Sequence, residues 1–313
     1  MSFLPALDCW FLTGPTAGGK TGVGVELAGR IGAEIVSMDS MALYRGMDIG
    51  TAKPTAAERR AVRHHLVDVV EPHQEFSLAQ YVEDAARSVA EIKGRGREAL
   101  FVGGTPLYLK GLLRGIFQGP PADWDFRRRL EDEARREGPD YLHRRLAEVD
   151  PVAAKRLHPN DTRRLVRALE VHEKTGQPIS RLQEQFESGR SAEACRVFVL
   201  DWPTAQLNGR INRRVDAMFA VGLVEEVRGL LEGPHPPGKT AAQALGYREV
   251  IEHLEGERGL SETIDLVKTH TRQFAKRQRT WFRSLSECRF MPVEDPIDPA
   301  EVARRIREAG LGQ

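Results

Sequence analysis

Residues 14–21 combine glycine, lysine and threonine at spacings that suit the binding of a polyphosphate. They read Gly14-Pro-Thr-Ala-Gly-Gly-Lys-Thr21 and match G-x-x-x-x-G-K-[ST] at every fixed position. Glycines let the backbone curl until several N–H groups point at one anion, and the start of a following helix adds a favourable dipole. Lys20 is placed to reach a terminal phosphate, and the Thr21 hydroxyl to bind Mg²⁺. The alternative, a glycine-rich turn with an incidental lysine, is disfavoured by the apolar run 9–13 before the octet and the helical spacing of residues 23–31 after it.

A carboxylate and a hydroxyl follow two other apolar runs. Asp39 comes after residues 33–38, and Thr105 follows residues 98–102 and two glycines. Strand ends of a parallel sheet meet at one edge, where ligands bind. An aspartate there would hold Mg²⁺ or accept a proton from an attacking group, although it can also be only a helix cap. One carboxylate and one hydroxyl beside a phosphate loop favour activation of a weak nucleophile over hydrolysis of a nucleotide.

Alternating strands and helices must position these residues. Beyond the octet, strands are predicted at 33–38, 66–70 and 98–102. Residues 78–92 have helical periodicity, with Ser77 as the cap. Such alternation predicts a mostly parallel sheet covered by helices. The expected fold is therefore α/β, with a parallel sheet core like that of the P-loop NTPases.

A helical segment interrupts this pattern. Residues 1–118 are predicted as the first part of the core, 119–194 as an inserted all-helical domain, and 195–313 as the completion of the core with C-terminal helices. Within the insertion, Asn160 or Asp161 would cap a helix that ends at Thr175-Gly176. A strand is expected again at 195–201.

Bulk properties exclude several classes of protein. The 313 residues carry a formal net charge of +1, so any nucleic-acid contact has to come from local patches. The three cysteines lie far apart, which argues against disulfides and zinc sites. No targeting segment, no run of about 20 apolar residues and no coiled-coil seam is present. A cytoplasmic monomer without a membrane partner is expected.

Residues 268–283 contain six basic side chains and no acidic one. On a helix, Arg272, Lys276, Arg279 and Arg283 form one stripe. Residues Phe274, Gln278, Trp281 and Leu285 fall on the other side. This pattern predicts a helix that packs with its apolar face and offers its cationic face to RNA phosphates. A solvated helix face is the alternative.

Taken together, these blocks resemble the tRNA dimethylallyltransferases, over roughly residues 9 to 285. The matching blocks in the first half are the octet, Asp39-Ser40 with Tyr44, residues 47–54 (MDIGTAKP), residues 65–68 (HLVD), and residues 102–105 (VGGT) with Leu107-Tyr108. Those in the second half are residues 158–161 (HPND), Arg164 with residues 167–171 (RALEV), Thr175-Gly176, residues 214–218 (RVDAM) with Gly222-Leu223, residues 245–249 (LGYRE), Arg272-Gln273, residues 275–278 (AKRQ) and residues 280–283 (TWFR). One departure is Ala42, where many members carry glutamine.

The resemblance implies that the loop holds the diphosphate of dimethylallyl diphosphate, with Mg²⁺ on Thr21 and Arg214 as a further cation. The diphosphate-binding set would be Gly14, Pro15, Thr16, Ala17, Gly18, Gly19, Lys20, Thr21 and Arg214. The dimethylallyl group would pass to N6 of the adenosine at position 37 of tRNA, next to the anticodon. Asp39 would accept the proton of that amine as general base, and Thr105 would position the substrate.

An adenine in a stacked anticodon loop has to be flipped out to reach such a site. The helical insertion would then clasp the anticodon stem-loop. By resemblance, the contacts to tRNA would be Asp39, Ser40, Met41, Ala42, Thr105, Arg127, Arg163, Arg164, Leu165, Val166, Arg167, Gln243, Ala244, Leu245, Gly246, Tyr247 and Arg248, to which the basic segment adds Arg272 and Lys276. For each helical arginine, a solvated face is the alternative.

Three other functions share part of this pattern. A prenyltransferase acting on free adenine nucleotides would use the same core, but it needs neither the helical insertion nor the basic segment. A kinase with ATP as donor requires affinity for a nucleotide. A non-catalytic RNA-binding protein leaves Asp39 and Thr105 without a purpose.

Overall fold

The structure, a computed structural model, describes residues 8–117, 119–183 and 189–312. The predicted domain limits at residues 1, 118 and 313, and the N-terminal residues 1–7, lie outside the described residues. The strands are β1 (Trp10–Thr13), β2 (Ala33–Ser37), β3 (His64–His65), β4 (Glu98–Val102), β5 (Val197–Asp201) and β6 (Cys288–Pro292). They form one six-stranded sheet in the order β3-β2-β4-β1-β5-β6, and every neighbouring pair is parallel. The predicted parallel α/β core is confirmed.

Fifteen α-helices connect and cover the sheet in the described part of the chain. They are α1 (Lys20–Ile31), α2 (Ala56–Ala61), α3 (Leu78–Gly94), α4 (Pro106–Arg114), α5 (Trp124–Glu137), α6 (Tyr141–Val149), α7 (Pro151–Arg156), α8 (Thr162–Thr175), α9 (Ile179–Leu182), α10 (Thr204–Ala220), α11 (Leu223–Glu232), α12 (Lys239–Ala242), α13 (Tyr247–Leu254), α14 (Leu260–Arg283) and α15 (Pro299–Leu311). None of the described helices is long and apolar enough to span a membrane.

The buried centre of the sheet explains where the strand ends meet. Strand β1 lies between β4 and β5, and its side chains are all buried. The Phe11 and Phe101 rings stack at 4.9 Å between centroids. At the carboxyl ends, the Thr13 hydroxyl donates to the Gly103 carbonyl at 2.8 Å. This bond joins the ends of β1 and β4, immediately before the phosphate loop that follows β1 and Thr105, which follows β4.

The prediction of a strand at residues 66–70 was wrong. The strand is His64–His65, because the backbone turns away immediately after it: Leu66 and Asp68 both adopt a φ of 58°. Left-handed backbone of this kind cannot continue a strand. The amide of Val69 instead donates to the Leu43 carbonyl at 2.8 Å.

Two local predictions were confirmed, and one strand escaped prediction. The Ser77 hydroxyl accepts a hydrogen bond from the Gln80 amide at 3.2 Å and begins α3, as its position before an apolar periodic run indicated. Asp161 caps α8, which ends at Gly176 with a φ of 67°. Strand β6 was not predicted, because residues 288–292 alternate too weakly to stand out.

The described residues divide into two compact units. One comprises the chain up to Leu113 and from Gly189 onward, and it contains the sheet. The other comprises the described residues between Arg114 and Ser188 and consists of helices α5 to α9. Its own core is built from apolar side chains of four of these helices. They are Phe126, Leu130, Leu142, Leu146, Ala153, Ala154, Leu165, Val166, Ala168 and Leu169.

Candidate active site

The glycine-rich octet forms a curled loop between β1 and α1. Ala17 and Gly19 adopt φ values of 59° and 81°, and Gly19 is the residue before the first turn of α1. A Cβ atom at Gly18 would lie 2.8 Å from the Pro15 carbonyl oxygen, so the turn requires glycine there. The amides of the first turn of α1 have no partner within the helix. These N–H groups are therefore available to an anion.

Side chains distant in sequence hold the carbonyl groups of this loop. The Trp202 indole donates to the Gly18 carbonyl at 3.1 Å, and the Arg210 Nε donates to the Ala17 carbonyl at 2.9 Å. The Arg210 guanidinium stacks on the Trp202 ring, 4.5 Å from its centroid, and pairs with Asp295 at 2.6 Å. Sequence reasoning missed these residues, since nothing local marks them. They fix the curl of the loop before any ligand binds.

Two cations lie beside the loop. The Lys20 ammonium donates to the Pro15 and Gly14 carbonyls at 2.7 and 3.1 Å. Burial and, to a lesser extent, the charge of Arg214 together lower the pKa of Lys20 to about 8, against the opposing effect of Asp39. Burial also lowers the pKa of Arg214, again against the effect of Asp39. Arg214 has no hydrogen-bond or ion-pair partner among the described residues, as expected for a group that binds a ligand.

Asp39 and Thr105 lie at neighbouring strand ends. Asp39 Oδ1 accepts hydrogen bonds from the Met41 and Ala42 amides at 2.9 and 3.3 Å, which leaves Oδ2 without a partner in the described part of the chain. The Thr105 hydroxyl accepts from the Ser40 amide at 3.0 Å. A Cβ atom at Gly103 would lie 2.1 Å from the Met38 carbonyl oxygen, so glycine lets the two strand ends touch.

One cavity of about 1190 Å³ contains all these groups within the sheet-containing unit. Its anion-binding end is formed by residues 16–21 with Arg210, Arg213 and Arg214. Asp39 and Thr105 lie on its wall. Apolar side chains also line it: Ala217, Met218, Val221, Leu245 and Phe274. Cations, a carboxylate and apolar side chains thus line the same cavity.

The cavity contains a side chain that could serve as a ligand for Mg²⁺. The half-buried Thr21 hydroxyl lines the cavity and has no hydrogen-bond partner among the described residues. Magnesium commonly keeps few protein ligands and takes its other oxygens from substrate phosphates and water. The described residues contain no cluster of three or more His, Cys, Asp or Glu that could hold a metal by itself. A metal shared with a diphosphate suits such a site.

Polar contacts hold the loop 47–54 in place. The Lys53 ammonium, on a side chain only 3% exposed, donates to the Tyr44 carbonyl and to carboxylate oxygens of Asp48 and Asp68. Glu226 accepts hydrogen bonds from the amides of residues 48–50. These contacts turn an irregular segment into a rigid wall of the cavity, which sequence reasoning could not infer.

Several residues predicted to touch tRNA have buried side chains in the sheet-containing unit. Ala42, Ala244 and Tyr247 are buried, and the Tyr247 hydroxyl donates to Glu226 at 2.6 Å. Gly246 is buried as well. A Cβ atom at Gly50 would lie 2.4 Å from the Tyr247 ring, so this side chain packs against the loop 47–54, and with Ala42 and Ala244 it still lines the cavity. Gln243 and Arg248 remain exposed, and Leu245 and Met41 line the cavity.

The predicted faces of α14 need a correction. The helix packs through Val267, Thr271, Ala275, Gln278 and Phe282, whereas Phe274 is 36% exposed. Small Thr271 and Ala275 let the helix approach its neighbours closely, so Phe274 lies outside the buried stripe, whereas Gln278 and Leu285 are buried as predicted. The cationic stripe is also partly engaged. Arg272 donates to Asn212 at 2.7 Å, and Arg279 lies 3.5 Å from Asp201.

In contrast to Arg272, Lys276 is exposed and has no partner among the described residues.

The predicted tRNA contacts of the helical unit fall into three groups. Arg127 binds Glu170 through two hydrogen bonds at 2.9 and 2.7 Å, and Arg167 binds the same carboxylate at 2.5 Å. Burial alone would raise the pKa of Glu170, but hydrogen bonds from Arg127, the Asp123 amide and Arg167 outweigh it and lower that pKa. Leu165 and Val166 are buried in the unit's core, and their predicted contact with tRNA stays a prediction.

Among the described residues of the helical unit, Arg163 and Arg164 are the predicted tRNA contacts that are exposed.

Comparison with known proteins gives a consistent result. The family model described as IPP transferase matches residues 42–285. The tRNA dimethylallyltransferase of Geobacter metallireducens is 52% identical over 285 residues, covering 91% of this chain and 92% of that protein. The full-length tRNA isopentenylpyrophosphate transferase of Bacillus halodurans is 37% identical, with a TM-score of 0.68 and 96% of each chain covered. A eukaryotic dimethylallyltransferase acting on tRNA is 26% identical, with a TM-score of 0.74, covering 93% of this chain and 75% of that one.

Proposed function

The chain belongs to the IPP transferase family of prenyl-transferring enzymes, and from this we propose that it transfers a dimethylallyl group from dimethylallyl diphosphate to tRNA. The acceptor is N6 of the adenosine at position 37, and diphosphate is released. The observation that carries this proposal is the convergence of Lys20, Arg214 and Asp39 on one cavity. In this reaction, cations would stabilise the departing diphosphate, and a carboxylate would accept the proton of the attacking amine.

The donor binds with its diphosphate on the loop of residues 14–21. Amides at the start of α1, the Lys20 ammonium and the Arg214 guanidinium surround the anion. To do so, Lys20 exchanges its hydrogen bonds to the loop carbonyls for bonds to phosphate oxygens. Negative charge grows on the diphosphate as the allylic bond breaks, so these cations stabilise the transition state more than the ground state.

Thr21 and the donor's own oxygens hold Mg²⁺ in this proposal. When bound, the metal neutralises part of the charge that develops on the diphosphate. The Thr21 hydroxyl would be the side-chain ligand that holds the metal.

Asp39 acts as the general base. The adenine amine is a weak nucleophile because its lone pair is delocalised, so attack on the allylic carbon requires removal of a proton. Asp39 Oδ1 is held by two backbone amides, which leaves Oδ2 to accept the N6 proton in this proposal. The new C–N bond forms as the C–O bond to the diphosphate breaks, and the proton passes to Asp39. The apolar residues of the cavity wall, such as Met218 and Phe274, surround the dimethylallyl group and exclude water.

Each unit carries cations that we assign to RNA binding. In the sheet-containing unit, Arg213, Arg248 and Arg277 line the cavity, and Lys276 lies on the same helix as Arg277. In the helical unit, Arg163 and Arg164 supply exposed charge for phosphates. The target adenosine is flipped out of the anticodon loop into the cavity. Since its substrate is tRNA, we propose that the enzyme acts in the cytosol, as a monomer whose transfer site comes from one chain.

A transfer assay tests the proposal. The protein is incubated with unmodified tRNA, Mg²⁺ and dimethylallyl diphosphate, and the RNA is digested to nucleosides for mass spectrometry. Prenylated adenosine is expected with tRNA, and none with free AMP or with ATP in place of the prenyl donor. Absence of the modified nucleoside with tRNA refutes the proposal. Transfer to AMP at the same rate would identify a free-nucleotide prenyltransferase instead.

A further inference from the structure

Gln278 joins two parts of the cavity that are far apart in the sequence. Its Oε1 accepts a hydrogen bond from the Thr16 amide at 2.9 Å, and its Nε2 donates one to the Gly104 carbonyl at 2.6 Å. The side chain extends from α14 and the residue is only 3% exposed. Thr16 belongs to the phosphate loop, and Gly104 directly precedes Thr105. One side chain therefore fixes the donor-binding loop against the strand end that supports the loop of Asp39.

The primary amide suits this position in a way that few side chains do. It presents one acceptor and one donor at the same distance from the backbone, so that it can serve an N–H group and a C=O group together. A Cβ atom at Gly104 would lie 2.7 Å from Gln278 Nε2 and 3.4 Å from Lys20 Nζ. The glycine thus leaves the space in which the amide lies beside the catalytic-site lysine.

We propose that Gln278 is a positioning residue for the transfer reaction, which holds the phosphate loop in the conformation that accepts a diphosphate. The proposal rests on the proposed function for the identity of the donor. A loop that is already ordered does not have to be ordered when the anion binds, so the ligand binds more tightly. Trp202 and Arg210 order the carbonyls of Gly18 and Ala17, and Gln278 orders the first half of the loop through the Thr16 amide.

The same helix also lines the cavity beyond the phosphate loop. Phe274 and Arg277 line the cavity from α14, one turn before Gln278 and next to it in the chain. Gln278 thus connects a helix that lines the cavity to the loop that binds the donor.

The first experiment measures the affinity for magnesium pyrophosphate, which requires no turnover. Gln278→Met keeps the length of the side chain and its packing but removes both hydrogen bonds. We expect it to weaken pyrophosphate binding about tenfold, the usual effect of losing a buried hydrogen bond. Thr280→Ala, on the same helix, removes only a bond to the Lys276 carbonyl and should bind pyrophosphate like the wild type. The affinity of both variants for an anticodon stem-loop should be unchanged.

In the transfer assay, Gln278→Met should raise the KM for dimethylallyl diphosphate about as much as it weakens pyrophosphate, with a smaller effect on kcat. A purely structural role would lower the unfolding temperature but leave the pyrophosphate affinity of the folded protein unchanged, and that result would overturn the proposal. If the variant does not fold, hydrogen exchange of the wild-type Thr16 amide decides the matter. Protection without ligand supports the proposal, and rapid exchange overturns it.

Failure of the proposed function would look different. A wild-type protein that transfers no prenyl group refutes the function, whereas the pyrophosphate titration still decides the role of Gln278. Equal pyrophosphate affinities of wild type and Gln278→Met, with transfer intact, would refute the inference alone.

Discussion

The hydroxyl of Thr105 accepts a hydrogen bond from the backbone amide of Ser40 at 3.0 Å. Ser40 follows Asp39 directly, and the Thr105 amide donates in turn to the Met38 carbonyl at 3.2 Å. Thr105 therefore brackets Asp39 from both sides along the chain. Besides the substrate-positioning role expected from the sequence, we propose that Thr105 holds the base in place while the proton passes to the carboxylate.

Replacing Thr105 tests this role. Thr105→Val keeps the shape of the side chain but cannot accept the hydrogen bond from Ser40, so the Asp39 loop loses one restraint. We expect kcat to fall about tenfold, since a lost hydrogen bond to a buried amide costs about 1 kcal/mol or slightly more. Thr105→Ser keeps the hydroxyl and should retain most of the activity. Equal rates for the valine and serine variants would show that the hydroxyl is dispensable.

Asp39→Asn separates the base from the loop that carries it. The asparagine side-chain oxygen can still accept from the Met41 and Ala42 amides, so the local fold should persist. Loss of the base is expected to lower kcat by a factor of about 10² to 10⁴. Binding of an anticodon stem-loop, measured by fluorescence anisotropy, should change little. A variant that keeps the wild-type rate would exclude Asp39 as general base.

Glu34 lies in β2, the strand that precedes Asp39, and its ionisation should make the stability of the fold depend on pH. Its side chain is 8% exposed and binds Arg95 through two hydrogen bonds and His65 at 2.7 Å. The bond from Arg95, with that from His65, lowers the pKa of Glu34 to about 2 against the effect of burial. A lowered carboxyl pKa stabilises the fold above the usual value of 4.5, and this stabilisation disappears as the pH falls towards 2.

Glu34→Gln should therefore lose up to about 3 kcal/mol of stability at pH 7, from a shift of roughly two to three units. Urea unfolding at several pH values between 7 and 3 measures this. The difference between wild type and variant should shrink below pH 4.5. A constant difference across this range would contradict the assignment.

Two cations of α14, Lys276 and Arg272, are expected to contribute unequally to tRNA binding. Lys276 is exposed and unpaired among the described residues, whereas Arg272 donates to Asn212 and Thr269. Lys276→Ala should reduce the slope of log affinity for tRNA against log salt by about one, the value for one phosphate contact. Arg272→Ala should reduce it less. An unchanged slope for Lys276→Ala would show that this residue meets only solvent.

The candidate site was predictable where its signals are local. The glycine spacing of the octet 14–21 predicts a turn by itself. Asp39 and Thr105 each follow a short apolar run, and both runs form strands. The parallel order of those strands then brings them to one edge. No tertiary information was needed for these inferences, because glycine spacing and strand periodicity are properties of short segments.

Other features of the fold and the site depend on contacts between residues far apart in the sequence, which residue spacing does not predict. Gln278 was expected on the apolar side of its helix, and its polar role appears only because Thr16 and Gly104 lie opposite it. The bend after His65 depends on left-handed backbone at Leu66, a residue type that does not suggest it. Glu226 reaches the loop 48–50 across more than 170 positions of the chain.

The most direct test of the central claim is a crystal structure of the protein with Mg²⁺, an anticodon stem-loop and a non-reactive analogue of dimethylallyl diphosphate. The account predicts diphosphate oxygens on the amides of residues 18–21 and near Arg214, with the N6 atom of a flipped adenine within hydrogen-bond reach of Asp39. A diphosphate bound elsewhere, or an adenine amine remote from Asp39, would contradict it.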